Sequence, residues 1–177
     1  MARWMKTAAV LSLAALLGCG IAYAVTGVSL LLTLAITFGT VAYHMVMRLA
    51  VGGLFQWKMH NRADCRKPWY RLRPWEERLY RRLRVHRWKQ YMPTFDAAQF
   101  DRKRRSWDEI AQAMCKAELV HETIIPLSFV PVLTVPWLGA PAVFILTSVF
   151  AAAFDSLFVM MQRYNRARVL RHLEKSR

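Results

Sequence analysis

The stretch TAAVLSLAALLGCGIAYAVTGVSLLLTLAITFGTVAYHMVM, residues 7–47, contains no Asp, Glu, Lys or Arg. A bilayer core takes about 20 helical residues to cross, so this run is too long for one span. It divides at Thr26-Gly27-Val28-Ser29, which predicts a first helix over about 7–25 and a second over about 29–55. Residues 123–154 form another uncharged region. It divides at WLGAP, 137–141, which predicts helices over about 115–136 and 141–162. Pro126 and Pro131 fall inside the third helix, and each removes a backbone donor, so a kink is expected there.

The composition agrees with this reading. The chain has 177 residues, 55% of them hydrophobic, and a formal net charge of +15. The apolar and charged residues are segregated, and Lys58–Glu109 is dense in arginine. That pattern excludes an ordinary soluble domain. The expected fold is all-α: one polytopic membrane domain over 1–177, with four transmembrane helices and a basic, amphipathic, helical cytoplasmic loop over about 56–114. The start MARWMK, followed by an apolar stretch and Ala22-Tyr23-Ala24, also fits a cleavable signal peptide. A second apolar span follows at once, which favours a retained helix.

Basic residues orient the spans. The connections at 26–29 and 137–141 carry no charge, whereas Arg3, Lys6, the middle loop and the tail from Arg163 are basic. The positive-inside rule then puts both termini and the loop in the cytoplasm, in a cell-membrane protein. Cys19, Cys65 and Cys115 fall in a span or on the reducing side, so no disulfide is expected.

The loop segment PWEERLYRRLRVHRWKQYMP, 74–93, opens with Pro and two Glu, a helix start. Trp75, Leu79 and Leu83 recur every four residues among arginines, as in a helix lying against lipid headgroups. Anionic lipid or a phosphorylated cosubstrate explains that charge more simply than nucleic acid does, and no nucleic-acid partner is expected. The chain has no internal repeat, Walker motif, GxSxG, CxxC pair or HExxH.

Ionisable residues inside the spans mark the candidate site. Glu118, His121 and Glu122 are spaced i, i+3, i+4 and share a helix face. At about 1.5 Å per residue, His121, Arg48 and Asp155 each lie roughly 10 Å inside the cytoplasmic leaflet. His44 is one turn deeper than Arg48. Such groups are costly against lipid, so His44, Arg48, Glu118, His121, Asp155 and Arg163 are expected to converge on one wet cavity.

Three blocks now carry a resemblance: RLYRRLRVHRWKQYMP at 78–93, CKAELVHE at 115–122 and QRYNRARVLRHL at 162–173. In that order they resemble the glycosyl-4,4'-diaponeurosporenoate acyltransferases, small membrane enzymes that acylate the sugar of a carotenoid glycoside. The resemblance covers roughly 60–172, and YHMVMRLAVG, 43–52, is similar to longer members. It implies a transferase of carotenoid biosynthesis, with Trp88, Lys89 and Tyr164 among the substrate-binding residues. The chain departs from the family pattern at Thr94, Ala113, Glu122 and Ala167.

The residues also support acyl transfer on their own chemistry. Transfer to a hydroxyl needs a base, an oxyanion donor and a cradle for the acyl carrier. His121 is the natural base, because imidazole titrates near neutral pH. Glu118 can orient it, or the contact runs to another helix instead. His44 is a second base, with Arg48 as its charged neighbour on the substrate side. Gln162, Arg163, Asn165 and Arg166 can hold a phosphate or carbonyl oxygen. Blander readings stand beside these. Glu118 can form a structural ion pair with Arg163 or Arg48, the QRYNR block can anchor a helix end, and His44 can be a packing residue. Glu118-x-x-His121 is also di-iron ligand spacing, but such a site needs the motif twice, so no metal is expected.

The resulting expectation is a membrane acyltransferase with no resident cofactor. It takes an acyl thioester as donor and a lipid or glycolipid hydroxyl as acceptor. The alternative is a non-catalytic membrane protein that binds or transports a lipid, or supports a partner enzyme.

Overall fold

A computed structural model describes residues 2–93 and 97–175. Among these residues the chain is all helical, with no strand. Four stretches are long and apolar enough to cross a membrane: Arg3–Thr26, Ser29–Met59, Trp107–Leu138 and Pro141–Lys175. The four expected spans are therefore present, with longer bounds.

Helix α1 (Ala2–Thr26) ends where Gly27 adopts φ +69° and its N–H bonds the Tyr23 carbonyl at 2.8 Å. That left-handed C-cap is the physical content of the expected break. Helix α2 (Ser29–Met59) runs four residues past its expected end, to a stop where His60 and Asn61 are both left-handed.

The amphipathic segment is not one continuous helix. Helix α3 (Pro74–Arg82) starts with Pro74 in its first turn, and the Arg73 N–H is held by Glu76 Oε2 at 2.7 Å. It stops at Leu83, because Arg84 takes φ +51°. A single turn, α4 (Val85–Trp88), then re-enters with Val85 fully buried. Trp75, Leu79 and Leu83 are exposed, as the periodicity implies, while Glu76 and Tyr80 on the other side are buried.

Helix α5 (Trp107–Leu127) begins eight residues before the expected 115. A capping box sets its start: Ser106 Oγ accepts the Glu109 N–H at 3.2 Å, and Glu109 Oε2 accepts the Ser106 N–H at 2.8 Å. The expected kinked helix to 136 is broken outright. A 3₁₀ stretch, Val130–Thr134, and the short α6 (Val135–Leu138) follow. Pro131 has no N–H for the Leu127 carbonyl four residues back. The Tyr43 hydroxyl donates to that carbonyl instead, at 2.8 Å. Helix α7 (Pro141–Lys175) continues thirteen residues past the expected 162, since no Gly or Pro interrupts QRYNRARVLRHLEK.

The chain clusters into two compact units. The first, Ala2–Gly52 with Ile124–Phe154, is hydrophobic. Many of its large side chains point outward: Leu17, Val25, Leu146 and Phe150 are exposed, Phe150 by 76%, whereas Ile124 and Phe144 are buried. Small residues, including Ala9, Ala35 and Ala42, are buried. Gly39 meets Leu16 closely, and a β-carbon there would lie 3.4 Å from Leu16 Cδ1. Exposed apolar bulk over a small-residue interior suits acyl chains as solvent. The second unit, Gly53–Thr123 with the chain from Asp155 onward, has a small core of Ile110, Ala111, Met114 and Val169, flanked by Trp107 and Leu173. Its interior also holds charge: Glu76, Lys116, Glu118, Asp155 and Arg166 are all buried.

The Tyr43 bond gives a direct test. Tyr43→Phe should cost about 1 kcal/mol by leaving a carbonyl unpaired. Pro131→Ala, which restores a backbone donor, should recover part of that loss in the same background. Thermal unfolding in detergent reads both. An unchanged melting temperature for Tyr43→Phe would show that this carbonyl does not depend on the phenol.

Candidate functional site

The charged unit is organised by α5 and α7. On α7, Asp155, Phe158, Gln162, Arg166 and Val169 are all buried. Their spacing of three or four residues makes them one stripe. On α5, Glu118 is completely buried and His121 is one turn further on. These two helices carry Glu118, His121, Asp155, Arg163 and Arg166.

Glu118 is held by two guanidinium groups. Its Oε1 accepts from Arg163 Nε at 2.7 Å, and its Oε2 accepts from Arg166. Arg163 spends its other donors on Glu76 of α3 and on the Trp69 carbonyl, the latter at 2.7 Å. Arg166, 1% exposed, also donates to the Tyr70 carbonyl at 2.5 Å, and its guanidinium lies 5.0 Å from the centre of the Tyr70 ring. Glu122 accepts from Trp69 Nε1 at 2.8 Å and lies 3.8 Å from Arg163. Two arginines and three glutamates thus tie α3, α5, α7 and the backbone at Trp69–Tyr70 together. Both planar forks are bonded to protein acceptors, so the structural ion pair weighed for Glu118 and Arg163 matches the geometry. Burial pushes the phenols of Tyr70 and Tyr80 up to about 12, which keeps both rings neutral beside this network.

His121 is not bonded to Glu118. Its Nδ1 lies 2.8 Å from Asp155 Oδ1, so the contact runs to another helix. The ring stacks on Phe158, with centroids 4.5 Å apart and planes 6° apart. Asp155 is buried, while the His121 side chain keeps 21% exposure. With Asp155 Oδ1 as the acceptor, the proton sits on Nδ1, and Nε2 is the nitrogen with the lone pair. This is the geometry of an oriented base.

The other candidates make contacts of their own. Lys89 donates to Asn165 Oδ1 at 2.5 Å and lies 4.9 Å from the Tyr164 ring centre. Burial, then nearby Arg168, holds the Lys89 ammonium below its usual range. Trp88 Nε1 bonds the Leu83 carbonyl at 3.0 Å and so closes the α3–α4 corner. Gln162 is buried in the α7 stripe. His44 and Arg48 belong to the hydrophobic unit. There Arg48 donates to the His44 carbonyl at 3.1 Å, and the His44 ring meets Tyr43 edge-on. Cys65 and Cys115 are free thiols with sulfurs 3.1 Å apart. The Cys115 hydrogen bond holds the Cys65 thiol below its usual range. Among the described residues, no three His, Cys, Asp or Glu side chains gather as a metal site requires.

Sequence reasoning missed Glu76, Trp69 and Tyr70. In the sequence Glu76 looks only like a helix-start acid, and backbone carbonyls give no sequence signal. The role of Asp155 had a signal: it is the only acid or base between Glu122 and Arg163.

The sequence profile of the glycosyl-4,4'-diaponeurosporenoate acyltransferase family matches residues 66–175, well over half of the chain. The chain belongs to that family. The acyltransferase match spans Trp69, Glu76, Glu118, His121, Asp155, Arg163 and Arg166, and it does not reach His44 or Arg48. No curated protein and no solved structure matches the chain.

Removing the shared anion should be costly. Glu118→Gln leaves buried Arg166 and partly buried Arg163 short of charge and should lower stability by about 3 kcal/mol or more. Glu122→Gln, at the exposed margin of the network, should cost less than about 1 kcal/mol. Melting temperature and size-exclusion behaviour in detergent compare the two. Equal losses would contradict the central place given to Glu118.

Proposed function

We propose that this acyltransferase-family protein moves a fatty acyl group from a cytoplasmic acyl thioester to the hydroxyl of a membrane lipid or glycolipid. By the family description, the sugar of a carotenoid glycoside is the acceptor class. The observation that carries the reading is the 2.8 Å contact between His121 Nδ1 and buried Asp155. It supports His121 as general base and Asp155 as the group that holds its tautomer.

The step balances without a resident cofactor. His121 Nε2 takes the proton of the acceptor hydroxyl as its oxygen attacks the thioester carbonyl carbon. The carbon–sulfur bond then breaks, and the imidazolium returns the proton to the departing thiolate. An ester and a free thiol remain. Base catalysis of this kind contributes about 10² to 10⁴ in rate. The ion network holds α5 against α7, and in this reading it positions the pair rather than touching substrate. Basic residues at the N-terminus, the loop and the tail support an orientation with both termini in the cytoplasm of a cell-membrane protein.

The test is initial rate in lipid nanodiscs, with a labelled long-chain acyl thioester and a glycolipid acceptor. His121→Ala should fold normally and lose about 10² to 10⁴ in turnover. A well-folded variant with unchanged rate would remove His121 from the chemistry. A wild-type protein that binds the acceptor but never acylates it would favour lipid binding or transport.

Orientation has its own measurement. A cysteine placed at Gly139 should label from outside intact cells, and a reporter fused after the last residue should behave as cytoplasmic. The reverse pattern would overturn the orientation.

A further inference from the structure

The proposed reaction needs a grip on the acyl donor, and the structure takes the two obvious cations away from that role. Arg163 and Arg166 are bonded to Glu118, Glu76 and backbone carbonyls. A different basic site is present further along α7. A cavity of about 490 Å³ opens in the charged unit between α3 and the last turns of α7. Arg81, Arg168, Arg171 and Lys175 line it, against a single carboxylate, Glu77. Glu77 lies 3.7 Å from Arg171. Among the described residues, no carboxylate pairs with Arg81, Arg168 or Lys175. Tyr164 supplies an aromatic wall. A larger cavity nearby, of about 610 Å³, has no such bias, because Asp64, Asp108 and Glu174 there outnumber Arg66 and Arg71.

We propose that the smaller cavity binds the phosphorylated nucleotide end of the acyl thioester donor. The proposal rests on the acyl-transfer reading above and names its donor class. Several cations around one concavity, with planar guanidinium forks among them, suit a group carrying several phosphates. The Tyr164 ring holds cations at this wall, its centre lying 4.9 Å from Lys89 Nζ and 5.9 Å from the Arg168 guanidinium carbon. Reach is consistent as well. Arg168 and Asp155 are thirteen residues apart on one helix, or roughly 20 Å at 1.5 Å per residue. An extended pantetheine arm covers a span of that order. A donor anchored at Arg168 would therefore lay its thioester beside His121, which is bonded to Asp155. Anionic phospholipid headgroups share the phosphate chemistry, so the experiment separates the two sources.

The probe is labelled coenzyme A, measured by equilibrium binding to the full chain in phosphatidylcholine nanodiscs. Arg168→Gln with Arg171→Gln should weaken binding about ten-fold or more, as loss of charge-assisted phosphate contacts implies. Both side chains are exposed, so folding should survive. Lys103→Gln with Arg104→Gln removes the same charge from exposed residues elsewhere and should leave binding within about two-fold. Unphosphorylated pantetheine should not compete. In turnover, the Arg168/Arg171 variant should raise KM for the acyl thioester and largely keep kcat.

Unchanged coenzyme A binding in the Arg168/Arg171 variant would overturn the proposal. So would absence of binding in the wild type, or displacement of the probe by phosphatidylglycerol added to the nanodisc. If the protein transfers acyl groups while the variant leaves KM unchanged, the cavity assignment falls and the acyltransferase reading stands. If coenzyme A binds and the variants weaken it, yet no acyl group is ever transferred, the cavity stands and the acyltransferase reading falls.

Discussion

One carboxylate organises the charged half of this protein. Glu118 is completely buried and is shared between Arg163 and Arg166. Buried ions are tolerated only where partners and hydrogen bonds compensate for lost hydration. Here each guanidinium also takes a backbone carbonyl, at Trp69 for one and Tyr70 for the other. Glu76 adds a link to α3, and its second oxygen holds the Arg73 N–H at the start of that helix. Removing Glu118 would leave buried Arg166 without a carboxylate and Arg163 with only Glu76 and Glu122 beside it. The helix–helix register of α5 on α7, and the fold of the loop onto both, follow from avoiding that.

That register also sets His121 against Asp155. With Glu118 fixed on Arg163 and Arg166, the next turn of α5 presents His121 to Asp155, two turns earlier on α7. Phe158 lies flat against the imidazole and limits its rotation. The His121 ring is therefore oriented by a carboxylate and an aromatic ring that belong to the same buried stripe as Arg166. The proposed function implies a division of labour: the arginine–glutamate network supplies rigidity, and the histidine–aspartate pair is the proposed route for the proton. The proposed donor cavity draws its cations from elsewhere, the far end of α7.

Much of the architecture was legible in the sequence because it depends on global segregation of charge. Two uncharged regions, each too long for one crossing, give four spans whatever the local detail. Boundaries were less legible. Ser106 and Glu109 form a capping box, but only within the helix they start, and Arg84 gives no sign that it will take a left-handed conformation. The extension of α7 was hidden because charged residues past Gln162 look like the end of a span, although they are good helix formers. The site was half legible. Glu118, His121, Asp155 and Arg163 announce themselves as charges in apolar surroundings. Their pairing does not, because residues three apart on a helix point about 60° from each other and can meet different partners. The i, i+3 spacing of Glu118 and His121 invites a direct contact, whereas each reaches α7 separately.

The central claim is that His121 and Asp155 act as one unit in acyl transfer while Glu118 acts through the fold. A pair of mutant cycles on rate per folded molecule tests this most directly. Asp155→Asn should slow the wild-type protein and add almost nothing to the loss in a His121→Ala background. Glu118→Gln should change the rate per folded molecule by the same small factor in both backgrounds. If the Asp155 and His121 losses multiply instead, or if Glu118→Gln is the substitution that ceases to matter once His121 is gone, the assignment of roles is wrong.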